Sequence, residues 1–142
     1  MCRISVVLPV FNGGRYIRKA IDSVLSQSFD DFELIIVNDG STDNTLDIIS
    51  DFDDERIVLI NQENRGPGAA RNSALEIAKG EYVMFLDCDD WFCEDAFETA
   101  YNEVAKNDTD ITIFQIIKYD SGTYSEKLAD RKSGSAGMPR PI

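Results

Sequence analysis

The sequence contains no histidine. The commonest general acid–base residue and the commonest zinc ligand are both missing, which leaves carboxylates for proton transfer and metal binding. Cysteine is scarce and odd in number. Cys2, Cys88 and Cys93 sit at no zinc-like spacing, and they suit reduced thiols better than a disulfide framework. Positive charge is short as well. Fourteen Lys and Arg face 26 Asp and Glu for a net charge of −12, which disfavours nucleic acid or an anionic membrane as a partner. No apolar run approaches the roughly 20 residues of a membrane span. Ile4 to Phe11, interrupted by Pro9, is too short for a secretory leader. The expected setting is cytoplasmic, with any peripheral attachment to the inner membrane face supplied by parts outside this chain. Neither a Gly-x-Gly-x-x-Gly fingerprint nor a Walker lysine motif is present, so a bound nucleotide would not lie in a glycine cradle.

What is there begins with size. At 142 residues and 43% hydrophobic content, the chain is long enough and apolar enough to bury one proper core. Its organising stretch is Tyr82-Val83-Met84-Phe85-Leu86-Asp87-Cys88-Asp89-Asp90-Trp91. Five apolar residues running into carboxylates predict a strand buried on both faces, with the acids at its end. Strand side chains alternate, so Asp87 and Asp89 point the same way if extended geometry persists past Leu86. Two such carboxylates repel each other unless a cation lies between them. Mg²⁺ or Mn²⁺, held by one or two carboxylates plus phosphate oxygens, fits that need. A solvated acidic turn is the plainer alternative.

Along the chain, apolar residues alternate between two periods. Ile4 to Pro9, Phe32 to Val37 and Ile57 to Ile60 read as strands. Tyr16, Ile17, Ala20, Ile21, Val24 and Leu25 recur at helical spacing from about Arg15 to Ser26. Leu46, Ile49 and Phe52 mark a second helix, for which Ser41 or Thr42 is the expected cap. A third helix runs from Pro67 to Lys79 with a small-residue face, ahead of Gly80. A fourth carries Phe97, Ala100, Tyr101 and Val104, and a fifth strand is expected over Asp110 to Tyr119. Strictly alternating strands and helices predict an α/β fold, a mostly parallel sheet with helices on both faces. Residues 1–120 form the expected domain, and 121–142 read as a polar tail or the start of a further segment.

The unusual loops all fall at strand C-termini: Pro9 to Gly14, Asn38 to Asp43, Asn64 to Arg71 and Asp87 to Trp91. That is the rim where open parallel sheets bind ligands. Asp39 there could accept a ribose hydroxyl or a base N–H, and Arg71 could face the same base. Each also has a plain reading, a turn-forming Asp and a solvated Arg.

Taken together, four segments resemble the nucleotide-sugar-binding half of the inverting family 2 glycosyltransferases. They are Val6-Val7-Leu8-Pro9-Val10-Phe11-Asn12, Ile36-Val37-Asn38-Asp39-Gly40-Ser41-Thr42-Asp43, Asn64-Arg65-Gly66-Pro67-Gly68-Ala69-Ala70-Arg71-Asn72 and Phe85-Leu86-Asp87-Cys88-Asp89-Asp90. The resemblance implies the Rossmann-like GT-A nucleotide-diphospho-sugar transferase fold, truncated before the acceptor half. It implies that Pro9, Val10, Phe11 and Asn12 line uracil and ribose, and that Asp39 and Arg71 read the base. Asn64, Gly68, Asp87 and Cys88 complete the nucleotide-binding set, and Asp87 with Asp89 forms the metal pair for Mn²⁺ or Mg²⁺. The implied partners are a UDP-sugar donor and a carbohydrate or lipid-linked acceptor.

Inversion also needs a general base, which in the family lies beyond the segment matching Asp110 to Tyr119. Asp120, Glu126 and Asp130 have no motif around them, and none is nominated. The isolated chain is therefore expected to be inactive, with the strand 82–86 edge open to self-association. Competing readings are a noncatalytic nucleotide-sugar-binding module and a phosphatase of the haloacid dehalogenase type. The latter carries its Asp-x-Asp after the first strand, not the fourth. A nicotinamide dehydrogenase lacks support without its glycine fingerprint.

Overall fold

The computed structural model of the chain describes residues 2–112, 119–120 and 123–124. The chain divides into two units, Met1–Thr109 and Asp110–Ile142. In the first, the elements run β1 (Ile4–Val10), α1 (Ile17–Leu25), β2 (Phe32–Asp39), α2 (Thr45–Ser50), β3 (Ile57–Gln62), α3 (Pro67–Leu75), β4 (Tyr82–Phe85) and α4 (Ala96–Asn107). In the second, β5 (Tyr119–Asp120) pairs antiparallel with β6 (Thr123–Tyr124).

The four strands of the first unit form a parallel sheet in the order β3-β2-β1-β4. All seven residues of β1 are buried, as are all of β2 except Glu33. Continuous Val/Ile/Leu runs are what a strand covered on both faces requires. Alternation then sorts the side chains. Ile4, Val6, Leu8 and Val10 of β1 share a cluster with Ile17, Ala20, Ile21 and Val24 of α1, Ile49 of α2 and Phe97 of α4. Val7, Ile35 and Val37 meet Ala70 and Ala74 of α3 on the opposite face. Small residues there let α3 lie close to the sheet. The two-faced arrangement follows from chain direction. The first two crossovers step outward from β1 to β3 and the third steps back across to β4. A right-handed connection running the other way places its helix on the other face.

One expectation for β4 needs correction. Among the described residues it pairs with β1 alone, consistent with the open edge expected for strand 82–86, but it is buried on one face only. Met84 and Leu86 are buried, whereas Val83 and Phe85 are 39% and 51% exposed. An apolar run does not show which of its side chains face outward. The expected fifth strand lies mostly outside the described residues; within them, 110–112 are not strand and Tyr119 begins β5.

The α3–β4 connection is anchored to the far end of the sheet. The Gly80 N–H donates to Ser5 Oγ (2.8 Å), Ser5 Oγ donates to Glu33 Oε1 (2.6 Å), and the Lys79 N–H donates to that same oxygen (2.7 Å). A Cβ on Gly80 would stand 2.4 Å from the Ser5 nitrogen. Only glycine fits there.

Candidate functional site

Stepping outward from β1 to β3 and then back to β4 leaves a switch point between β1 and β4, where the connections diverge and a crevice opens beyond the strand ends. A cleft of about 530 Å³ lies there. It is lined by Pro9, Val10, Phe11, Asn12, Gly13 and Tyr16 after β1, Asp39 from β2, Asn64, Gly66, Pro67, Ala70 and Arg71 around the start of α3, and Asp87, Cys88 and Asp89 after β4.

The first wall is stapled to the second strand's loop. Asn12 takes a left-handed backbone (φ 51°). Its Oδ1 accepts the N–H groups of Thr42 (2.7 Å) and Asp43 (3.3 Å), while its own N–H donates to Ser41 Oγ (2.9 Å). The Gly13 N–H donates to Thr45 Oγ1 and the Gly14 N–H to Asp43 Oδ2, both at 3.0 Å. Neither Ser41 nor Thr42 caps α2. The N-cap is Asn44, which makes no side-chain cap bond, and the Asp43 carboxylate just ahead of it accepts the Thr45 N–H (3.0 Å). Gly13 also packs against the β4 loop, where a Cβ would come within 3.1 Å of Cys88 Sγ. Phe11 stays 49% exposed beside this hydrogen-bonded loop and lines the cleft.

Asp39 is the best-held group in the site, only 2% exposed. Its Oδ1 accepts from Gln62 Nε2 (2.7 Å) and the Arg65 N–H (2.9 Å), and its Oδ2 from the Gly66 N–H (2.9 Å). Burial alone would raise its pKa, but these hydrogen bonds outweigh it and the carboxyl lies below its ordinary value. Gly66 reaches Asp39 with φ 90°, a conformation that favours glycine.

Extended geometry does not persist past Leu86. The Asp90 N–H donates to the Asp87 carbonyl (3.0 Å), so Asp87 to Asp90 is a turn. Both Asp87 and Asp89 nevertheless line the cleft. Arg71 Nη2 donates to Asp87 Oδ1 (2.7 Å), which places the guanidinium on the acidic loop. Asp89 makes no hydrogen bond or ion pair among the described residues. The Cys88 thiol is pushed up by burial and by the Asp89 and Asp87 charges. Partial desolvation and the same two charges also raise the Asp90 carboxyl. A field this negative favours a cation.

Of the expected site residues, Pro9, Val10, Phe11, Asn12, Asp39, Asn64, Arg71, Asp87, Cys88 and Asp89 come together in one cleft, and Gly68 does not line it. Gly13, Gly66, Pro67 and Ala70, from the rim loops, and Tyr16 also line it without having been named as site residues. The signal for Gly66 was its place directly before a proline at a helix start.

A family model described as Glycosyl transferase family 2 matches residues 5–140. The chain belongs to glycosyl transferase family 2. It is 42% identical over 144 residues to glycosyltransferase GlyA of Streptococcus pneumoniae serotype 4, covering 92% of this chain and 21% of that protein. The structure of S. aureus TarS in complex with UDP-GlcNAc superposes with a TM-score of 0.73 at 33% identity, over 76% of this chain and 32% of that one. The mannosyltransferase PcManGT from Pyrobaculum calidifontis, in complex with GDP-Man and Mn²⁺, superposes at 0.68 with 28% identity, over 72% and 32%. This family 2 chain thus has the N-terminal half of the GT-A fold and spans about a fifth to a third of these proteins. No helix among the described residues is long and apolar enough to cross a membrane.

Proposed function

We propose that this chain is the donor-binding part of a glycosyltransferase that moves a sugar from a UDP-sugar to an acceptor hydroxyl with inversion. The observation that carries the reading is the convergence of all four strand-end loops on one cleft, with a buried, ionised Asp39 on one side and the Asp87–Asp89 turn on the other. UDP and UDP-GlcNAc occupy TarS, which supports a nucleotide-sugar donor. PcManGT holds a guanosine nucleotide, so the fold alone does not choose the base, and that choice falls to this chain's own side chains.

Asp39 accepts an N–H from the uracil ring. Phe11 and Pro9 supply an apolar wall for the base, and Asn12 keeps that wall in place through its grip on the β2–α2 loop. Arg71, expected from the resemblance beside the base, is drawn by Asp87 onto the acidic loop, from where it brings positive charge to the diphosphate side. Asp87 and Asp89 are hard oxygen donors that line the cleft where the diphosphate would lie. That fits Mg²⁺ or Mn²⁺ completed by phosphate oxygens, with Asp89 unengaged and Asp87 shared with Arg71. A bound cation would supply Lewis-acid stabilisation of the charge that collects on the departing diphosphate. The resemblance implies a general base beyond the segment matching Asp110 to Tyr119.

Thermal-shift and calorimetric titration with UDP, UDP-sugars, GDP and ADP, each with Mn²⁺ and with EDTA, tests this reading. UDP compounds are expected to bind best and with metal. No stabilisation by any nucleotide would remove the donor-site reading and leave the cleft without this role.

A further inference from the structure

Register pairs Asp39 with Gln62, the last residues of β2 and β3. Gln62 Nε2 donates to Asp39 Oδ1 (2.7 Å), and Ser73 Oγ on α3 donates to Gln62 Oε1 (2.7 Å). The orientation of this chain of groups is forced. An ionised carboxylate only accepts, so the amide must present its NH₂ to Asp39 and its carbonyl to Ser73. The Ser73 hydroxyl is the only proton donor in that exchange, and its alternative acceptor, the Ala69 carbonyl, is more distant at 3.1 Å. With Arg65 and Gly66 adding their N–H groups, three of the roughly four lone-pair sites of Asp39 are taken. One site on Oδ2 is left, on a side chain that lines the cleft.

We propose that Gln62, oriented by Ser73, is a positioning residue that locks Asp39 as an acceptor-only group with one lone pair toward the cleft, and thereby selects a pyrimidine bearing a ring N–H. The inference rests on the donor-site reading above. Uracil presents an N–H at ring position 3, whereas cytosine presents a lone pair there and meets the carboxylate acceptor to acceptor. A site built to bond a polar edge discriminates strongly because its own buried groups go unpaired with the wrong ligand. Without Gln62, Oδ1 loses one of its two donors, and the Arg65 and Gly66 N–H groups alone hold the carboxylate.

The test is the ratio of UDP to CDP affinity by calorimetry on the full 142-residue chain, with Mn²⁺ present. Gln62→Leu should lower that ratio by about tenfold or more, and Ser73→Ala should lower it in the same direction by less. Gln62→Glu places two carboxyl groups at hydrogen-bond distance, where they share one proton. UDP affinity in that variant should fall as pH rises through a range where the unmutated chain is flat. A structural role alone would lower the melting temperature without changing the ratio or adding a pH dependence. If the unmutated chain prefers UDP and both Gln62→Leu and Gln62→Glu keep its ratio and pH profile, the positioning role is wrong. If the unmutated chain does not distinguish UDP from CDP, the base reading at Asp39 fails first and takes this inference with it.

Discussion

Replacing Asp39 by Asn changes no heavy-atom count, yet it should be one of the more destabilising substitutions in this chain. Three donors converge on the carboxylate: the Gln62 amide and the N–H groups of Arg65 and Gly66. An asparagine keeps one acceptor oxygen and turns the other into a donor. Gln62 can adapt by rotating its amide, because the Ser73 hydroxyl can accept as well as donate. The two backbone N–H groups cannot adapt. They meet different oxygens of Asp39, so one of them faces the new NH₂ whichever way the amide turns. That lost partner costs about 1–3 kcal/mol, and the surviving bond, no longer charge-assisted, weakens by about 1 kcal/mol. The sum, about 2–4 kcal/mol, corresponds to a drop in melting temperature on the order of 10 °C for a chain of this length. Urea denaturation at pH 7 measures it. The pH dependence gives a second check. Asp39 is depressed in the folded chain, so its stabilisation is present above the unfolded carboxyl value of about 3.9 and lost as pH falls through the lower folded value. The gap between the two proteins should close on acidification below about pH 4. A variant within about 0.5 kcal/mol of the unmutated chain at pH 7, the usual scale of an uninvolved surface change, would refute the bookkeeping.

Other outcomes follow from single contacts. Gly80→Ala sets a methyl 2.4 Å from the Ser5 nitrogen, backbone that cannot give way. It should cost about 1–3 kcal/mol as overpacking does, read by the urea midpoint, and an unchanged midpoint would contradict the packing argument. Asp89→Ala should remove the difference in UDP affinity between Mn²⁺ and EDTA, which in the unmutated chain is expected to be about tenfold or more, the equivalent of about 1.4 kcal/mol. Equal UDP affinity in Mn²⁺ and EDTA before mutation would count against the metal site. The edge of β4, unpaired among the described residues and with Val83 and Phe85 exposed, predicts self-association at micromolar concentration. Light scattering after gel filtration that finds a clean 15.9 kDa monomer contradicts it.

The sheet and its two helical faces were legible because β1 and β2 are continuous apolar runs separated by helical periodicity, and that pattern depends on local residues alone. The cleft was legible for a similar reason: Pro9 to Asn12, Asp39, Arg71 and Asp87 to Asp89 each follow or flank a readable strand end. What escaped was set by neighbours distant in sequence. Tyr82 to Leu86 is apolar at every position, so its sequence does not show that Val83 and Phe85 face outward. Gln62 lay beyond the expected strand Ile57 to Ile60, since Asn61-Gln62 is polar, and only register sets it beside Asp39. Gly66 and Gly68 flank the same proline, and it is the Asp39 carboxylate, 27 positions upstream of Gly66, that makes the first of them the one with positive φ. The pairing of Arg71 with Asp87 spans 16 positions and leaves no mark on either residue's surroundings in sequence. The expected strand side-by-side placement of Asp87 and Asp89 failed because a turn, not an extended segment, follows Leu86, although both acids reach the cleft.

The central claim is that the four strand-end loops form one donor site. A titration of the ¹⁵N-labelled chain with UDP in the presence of Mg²⁺, followed by amide chemical shifts, tests it most directly. The account predicts saturable shifts confined to Val10 to Gly13, Asp39, Asn64 to Arg71 and Asp87 to Asp89, with the Lys79–Gly80 anchor unmoved. Shifts scattered away from these loops, or none at saturating UDP, would contradict it.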